Sequence, residues 1–295
     1  MQKNKEPIFH VVKRDAMPWY RSMGIRVAAI LLALILCAVI TTITTGINPI
    51  QVYESIFTGA FGTVRKTWVT LQNTAILLLI ALALTPAFKM KFWNIGGEGQ
   101  VLMGGLAAAA CMICLADKLP NVLLIVCMII ASIAAGAIWG FIPAFFKTKW
   151  NTNETLSTLM MNYIAVKWIT YLQYGPWKDP AERNMPKIYK FTSNSSLPKV
   201  FGVHIGWIIA LVLVVLVFVL MKYTKFGFEI QVLGENPQTA KYAGMNVTKI
   251  LILAVLISGG ICGLAGMIQA TGNEGRLAND ISAGLGFTAI ITAWL

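Results

Sequence analysis

Residues 234–244 read Gly234-Glu235-Asn236-Pro237-Gln238-Thr239-Ala240-Lys241-Tyr242-Ala243-Gly244, and what flanks them decides the fold. Before them lies an almost purely aliphatic run from about Ile205 to Met221, and after them an apolar, small-residue run from about Ile250 to Ala270. A polar insert between two such runs is a loop of a membrane protein. The insert, Lys222 to Lys249, carries its own helix punctuation. Asn236 suits an N-cap, Pro237 the first helical position, and Gly244 the left-handed residue just past the end. A short, separately capped helix at a membrane surface is either a docking part or a connector lying on the bilayer. The pattern alone leaves both open.

Composition agrees with the membrane class. Of 295 residues 57% are hydrophobic and only 12% charged, against about 45–50% and about 25% in soluble domains. The net charge of +12 does not indicate nucleic acid, because the basic residues sit in short loops flanking apolar runs, which is the membrane-topology pattern. The five cysteines, Cys37, Cys111, Cys114, Cys127 and Cys262, all fall inside apolar segments. Cys111 and Cys114 have redox or metal spacing, but without a second pair or a nearby histidine they read as small packing residues. His10 and His204 are isolated. No metal site or cofactor is expected. No phosphate-binding Gly-x-x-x-x-Gly-Lys loop and no catalytic constellation stands out, so ATP hydrolysis by that route and an enzyme are not expected.

The expected architecture is an all-α, polytopic transmembrane bundle of about eight spans. A basic segment, residues 1–24, precedes a membrane domain over 25–295. Spans are expected near 24–45, 67–88, 97–116, 121–146, 154–174, 205–221 and 250–270, with the chain stopping inside an eighth from Phe287. That stop reads as a truncated or partial sequence. Residues 50–66 are expected at the far surface, Pro86 and Lys89 to end the second span, and residues 175–204 to form a long outer loop. Gly136 and Gly140, and the small face of Ser258, Gly259, Cys262, Gly263 and Gly266, predict close helix approach. With the N-terminus inside, the inner segments hold 14 of the 24 Lys and Arg residues. That bias places Asn236-Pro237 on the cytoplasmic side. Lys167 lies within the fifth span.

Two polar stretches break the apolar pattern. Asn94-Ile95-Gly96-Gly97-Glu98-Gly99-Gln100 puts three glycines, a carboxylate and amides at the head of a span. Irregular backbone at membrane depth is tolerated only against protein or water, and an ionisable group there suggests function; a solvated interfacial turn fits equally. Thr152 or Asn153 could cap the following helix, with Glu154 favourable in its first turn, yet Asn153, Ser157 and Asn162 also lay a polar stripe along it.

These stretches resemble a known family. The loop pattern Gly-x-Asn-Pro-x-x-Ala-x-Tyr-Ala-Gly looks like the coupling loop of ABC importer permeases for nucleosides, simple sugars and branched-chain amino acids. Asn94 to Gln100 resembles the Asn-Ile-Gly-x-Glu-Gly-Gln motif of the nucleoside-type members, with Trp93 and Gly97 as mild departures. Asn153 to Ala165 resembles their Asn-Glu-x-x-x-Thr-Leu-Met-x-Asn-Tyr-Ile-Ala pattern, continuing into Gly175-Pro176-Trp177-Lys178-Asp179-Pro180. The resemblance implies a permease subunit in a bacterial cell membrane, N-terminus cytoplasmic. Its partners would be an ABC ATPase subunit, a second permease chain and an extracytoplasmic solute-binding protein. It implies a pathway beside Asn94, Glu98, Gln100, Asn153, Glu154 and Asn162, and an ATPase contact through Gly234, Asn236, Pro237, Ala240, Tyr242, Ala243 and Gly244. The alternatives are a sugar or branched-chain amino acid permease of the same superfamily, or an ion-coupled secondary transporter using Glu98 or Glu154.

Overall fold

A computed structural model describes residues 17–182, 186–200 and 203–294. Most of the basic N-terminal segment and His10 lie outside the described residues. The chain divides into two compact units, 1–66 and 67–295. In the first, α1 (Trp19–Thr45) is the expected opening span, ended by Gly46 in the left-handed conformation at φ 70°. A second helix, α2 (Pro49–Phe61), stands where a mixed surface stretch was expected. Asn48 caps it by accepting from the Ile50 N–H, and Pro49 fills its first turn. The Tyr53 hydroxyl donates to the Leu34 carbonyl at 2.5 Å, tying α2 back to α1.

The larger unit holds α3 (Val64–Lys89), α4 (Gly97–Leu115), α5 (Asn121–Trp150), α6 (Glu154–Tyr174), α7 (Gly206–Tyr223), α8 (Lys225–Glu235), α9 (Pro237–Tyr242), α10 (Val247–Ile268) and α11 (Leu285–Trp294). The architecture is a helical membrane bundle. By length and composition, six described helices can cross a membrane: α1, α3, α4, α5, α7 and α10 with its extension to Glu274. The expected count of eight differs by α6, which is long but too polar, and by the ten-residue α11. Pro86 does not end its span but lies inside α3; helices at membrane depth tolerate proline where neighbours satisfy the freed backbone.

The core is a trio, α4, α5 and α10, fused by glycine. A Cβ on Gly136 would run into the Gly259 carbonyl and the Gly263 backbone, and one on Gly266 into the Val101 carbonyl. Only backbone against backbone allows so close an approach, and dispersion then acts along the whole contact. The Ser132 hydroxyl donates to the Gly104 carbonyl at 2.8 Å across the same seam. The 175–204 segment is less open than a long polar loop suggests. It holds a short hairpin, β1 (Lys199–Val200) with β2 (Val203–His204), and buries Ile188, Phe191 and Leu197 in the main core. Past α10 the backbone loosens into a π-helical turn, Gln269–Glu274.

Candidate functional site

The polar cluster is built on the strap between α3 and α4. After Lys89 the chain turns through Lys91, a non-glycine residue at φ 59°, and buries Phe92. Asn94 then points inward and is fully buried. Its Oδ1 accepts from the Gly96 N–H at 3.0 Å and from Gln100 Nε2 at 3.3 Å. Its Nδ2 donates to Gln100 Oε1 at 3.4 Å and to Ser258 Oγ, on α10, at 3.3 Å. Gln100 and Ser258 are buried as well.

A helix start leaves N–H groups without intrahelical partners, and beyond Asn94 on the Gly96 N–H the glycine-rich head of α4 has no side-chain cap of its own. A residue from α6 does so instead. Asn162 Oδ1 accepts from the Gly99 N–H at 2.9 Å, and its Nδ2 donates to the Ile95 carbonyl at 2.9 Å. One turn earlier on α6, Thr158 Oγ1 accepts from the Ile95 N–H at 3.2 Å and donates to the Glu154 carbonyl at 2.8 Å. Among the described residues one buried donor beside this cluster, Trp139 Nε1, has no partner.

Glu98 faces another way. Its carboxylate accepts from the Ser282 hydroxyl and, at 2.9 Å, from the Gly286 N–H in the first turn of α11. Glu98 thus sits at two helix starts, its own and that of α11. The chain reaches it through Ala283 at φ 45° and Gly284 at φ 76°. Left-handed backbone at Ala283 costs roughly 1–2 kcal/mol, and the two bonds to Glu98 help hold it.

The expected site residues therefore separate. Asn94, Gln100 and Asn162 converge, joined by Thr158 and Ser258, and Glu98 stands behind them on the first turn of α4. Asn153 and Glu154 serve the start of α6. Asn153 caps it through the Leu156 N–H at 3.1 Å, and Glu154 pairs with Lys147 at 2.9 Å. In this conformation the amides of the cluster are committed to one another and to backbone.

The 222–249 loop holds two helices, α8 and α9, rather than one. Asn236 joins them. It ends α8 and caps α9 by accepting from the Gln238 and Thr239 N–H groups at 2.9 and 3.4 Å. Pro237 opens α9 and Gly244 follows it at φ 75°. Ala240 is fully buried, in a core cluster that also holds Ile230, Leu233, Ile250, Met90 and Phe92, and a Cβ on Gly234 would strike the Lys89 carbonyl. These two anchor the loop to the bundle. Asn236, Pro237, Ala243 and Gly244 face outward, and Tyr242 is 91% exposed.

A second polar network, not foreseen from the sequence, lies at the far end of α10. His204 Nδ1 accepts from the Gly206 N–H at 3.1 Å, so Nε2 carries the proton that it donates to Asn273 Oδ1 at 2.7 Å. Asn273 passes the chain to Gln269 at 2.7 Å and to Asn73 at 3.2 Å. Burial pushes the His204 pKa below its ordinary value; the Asn273 bond opposes this and nearby Lys199 adds to it. Beside it, a polar hollow of about 640 Å³ is lined by Gln173, Lys187, Arg276, Asn279 and Asp280 among others, and Arg276 pairs with Glu182 at 3.0 Å.

A glycine-fused bundle with six described helices able to cross a membrane is the build of a multi-pass membrane protein. The chain belongs to the family described as the permease component of branched-chain amino acid transport systems, which matches residues 67–295; it is a multi-pass permease of the ABC importer type. It is similar to a glucose ABC transporter permease protein of Haloferax volcanii, 31% identical over 96% of this chain and 77% of the relative. It is similar to a nucleoside ABC transporter permease protein of Lactococcus lactis, 30% identical over 93% and 78%. A guanosine ABC transporter permease protein of Bacillus subtilis is 33% identical over 90% and 77%. No solved structure matches the chain.

Proposed function

We propose that this chain is the membrane subunit of an importer for nucleosides, delivered by an extracytoplasmic solute-binding protein and driven by a separate ATPase. The N-terminus and α9 face the cytoplasm, and the chain works beside a second permease. The observation that carries the reading is the two-sided build of α9: Ala240 is sealed into the bundle while Tyr242 stands free. A surface so anchored and so presented suits a partner that pushes. Closure of the ATPase pair displaces α9, the packed helices shift, and the pathway opens to one side and then the other. The nucleoside class is supported by the relatives named for nucleoside and guanosine.

Affinity capture from the native membrane tests the architecture. The parent should bring down an ATPase subunit and Tyr242→Ala should lose it with the chain still folded. Capture undiminished by Tyr242→Ala, Lys241→Glu and Gln238→Ala together would refute the docking role of α9. Uptake of labelled guanosine against glucose tests the solute. A glucose importer is the second reading, favoured by the Haloferax relative, which the chain matches over nearly its whole length.

A further inference from the structure

Helix α6 has the length of a span without the composition of one. Its 21 residues extend about 31 Å at 1.5 Å per residue, close to the roughly 30 Å hydrocarbon core. Yet it is absent from the six helices apolar enough to cross. One side, with Thr158, Asn162, Ala165, Ile169 and Leu172, is buried in the bundle. The opposite side is a continuous exposed stripe: Met160, Tyr163, Lys167, Trp168, Tyr171 and Tyr174. Tyr163, Ile164, Lys167, Trp168 and Tyr171 bound an open hollow of about 560 Å³. Trp168 is braced edge-on against Trp139 at 6.2 Å.

Lys167 decides what this face can meet. It stands seven residues from the nearer end of the helix, about 10 Å at 1.5 Å per residue, and among the described residues it has no carboxylate within ion-pair reach. An ammonium turned to hydrocarbon is costly, so intramembrane cations face protein or water. A dry face against a second copy of the chain would set like charges together without compensation. Water and a solute that accepts hydrogen bonds meet the requirement.

Resting on the nucleoside reading, we infer that the exposed face of α6 is a wall of the solute pathway and that Lys167 recognises the base. The aromatic rings offer planar surfaces on which a base stacks, as base–aromatic platforms do elsewhere. Lysine only donates, so it favours an edge with adjacent acceptors, which a 6-oxopurine supplies through O6 and N7. The solute class assigned is a purine nucleoside of the guanosine or inosine type. The buried amides of Asn94, Gln100 and Asn162 lie behind this wall.

The experiment uses the complete transporter in its native membrane. Tyr163→Cys, Lys167→Cys and Tyr171→Cys are treated with a membrane-impermeant thiol reagent, with the parent's own cysteines as background and Leu216→Cys, exposed on the aliphatic α7, as the lipid-facing control. The three α6 positions should label, Leu216→Cys should not, and guanosine should slow the labelling. In uptake, Lys167→Met should raise the KM for guanosine about tenfold, the loss of one charge-assisted hydrogen bond, and Lys167→Arg should restore most of it. Silence at all three α6 positions, with a lipid-permeant reagent still reacting, overturns the proposal. So does labelling that guanosine leaves unchanged in a transporter that imports guanosine. A parent that imports glucose and not guanosine sinks the nucleoside reading and the solute assignment with it; the labelling pattern then decides separately whether α6 faces water.

Discussion

Replacing Asn162 by leucine separates a clamp from a solute contact. The side chain is 3% exposed, and both ends of its amide are used, on the Gly99 N–H and the Ile95 carbonyl. Leucine fills a similar volume but leaves those two backbone groups unpaired inside the bundle. Hydrogen bonds between membrane helices average about 0.6 kcal/mol, which would give about 1 kcal/mol for the pair. An orphaned buried donor or acceptor costs about 1–3 kcal/mol, so two give roughly 2–6, less what the leucine gains by burial. The second effect dominates, because nothing else at the glycine-rich head of α4 can take up those groups. A net loss of about 2–4 kcal/mol is expected, or roughly 4–16 °C in melting temperature at about 2–4 °C per kcal/mol. Thermal unfolding of the detergent-solubilised chain, followed by size-exclusion fluorescence, reads it directly. Asn162→Asp keeps the acceptor for Gly99 and loses the donor to Ile95, so it should fall between. A melt within about 2 °C of the parent, with the KM for solute raised, would refute the clamp and put the amide in contact with solute.

Glycine positions make a paired prediction. Gly136→Ala forces a methyl against the α10 backbone and should cost about 1–3 kcal/mol or more, while Gly105→Ala meets the tip of Leu277 at 3.1 Å and the Gly266 carbonyl only at 3.4 Å, an ordinary contact, and should cost less; equal melts would contradict the fused-trio account. Glu98→Gln keeps one acceptor oxygen and should lose about 1.5–3 kcal/mol for one charge-assisted bond, whereas Glu98→Leu orphans both the Ser282 hydroxyl and the Gly286 N–H and should melt lower still. His204 is held neutral with its pKa lowered chiefly by burial. The unfolded chain therefore binds the proton more readily, so its stabilising contribution is full above about pH 6.5 and fades as pH falls below that value. His204→Gln should flatten that acid limb of a melting-versus-pH profile, and an unchanged slope would refute it.

The parts legible in the sequence are those fixed by neighbours along the chain. Asn236, Pro237 and Gly244 punctuate α9 because capping is decided within four residues. The small face of α10 and the Gly136 pattern on α5 signalled close packing because the 3.6 period brings those positions together. Asn153 showed its capping role for the same reason. What the sequence hid was set at a distance. Glu98 and Ser282 lie 184 residues apart, and no local pattern pairs them. Asn162 suggested a polar stripe; that it caps another helix follows only from where α6 docks. His204 seemed isolated because its partner Asn273 comes 69 residues later. The short helices α2 and α8 were missed for another reason. Each lies beside a long apolar run, where a mixed composition reads as connecting chain.

The anchoring of α9 sets the length of the machine. Gly234, just before α9, rests on the backbone of Lys89 and Met90, Ala240 is buried in the cluster that holds Met90 and Phe92, and Asn94 follows four residues after Met90. The loop and the polar cluster are therefore joined by a short stretch of chain. In the docking role proposed for α9, a displacement of the loop would reach the Lys89–Met90 turn through Gly234 and the head of α4 a few residues later.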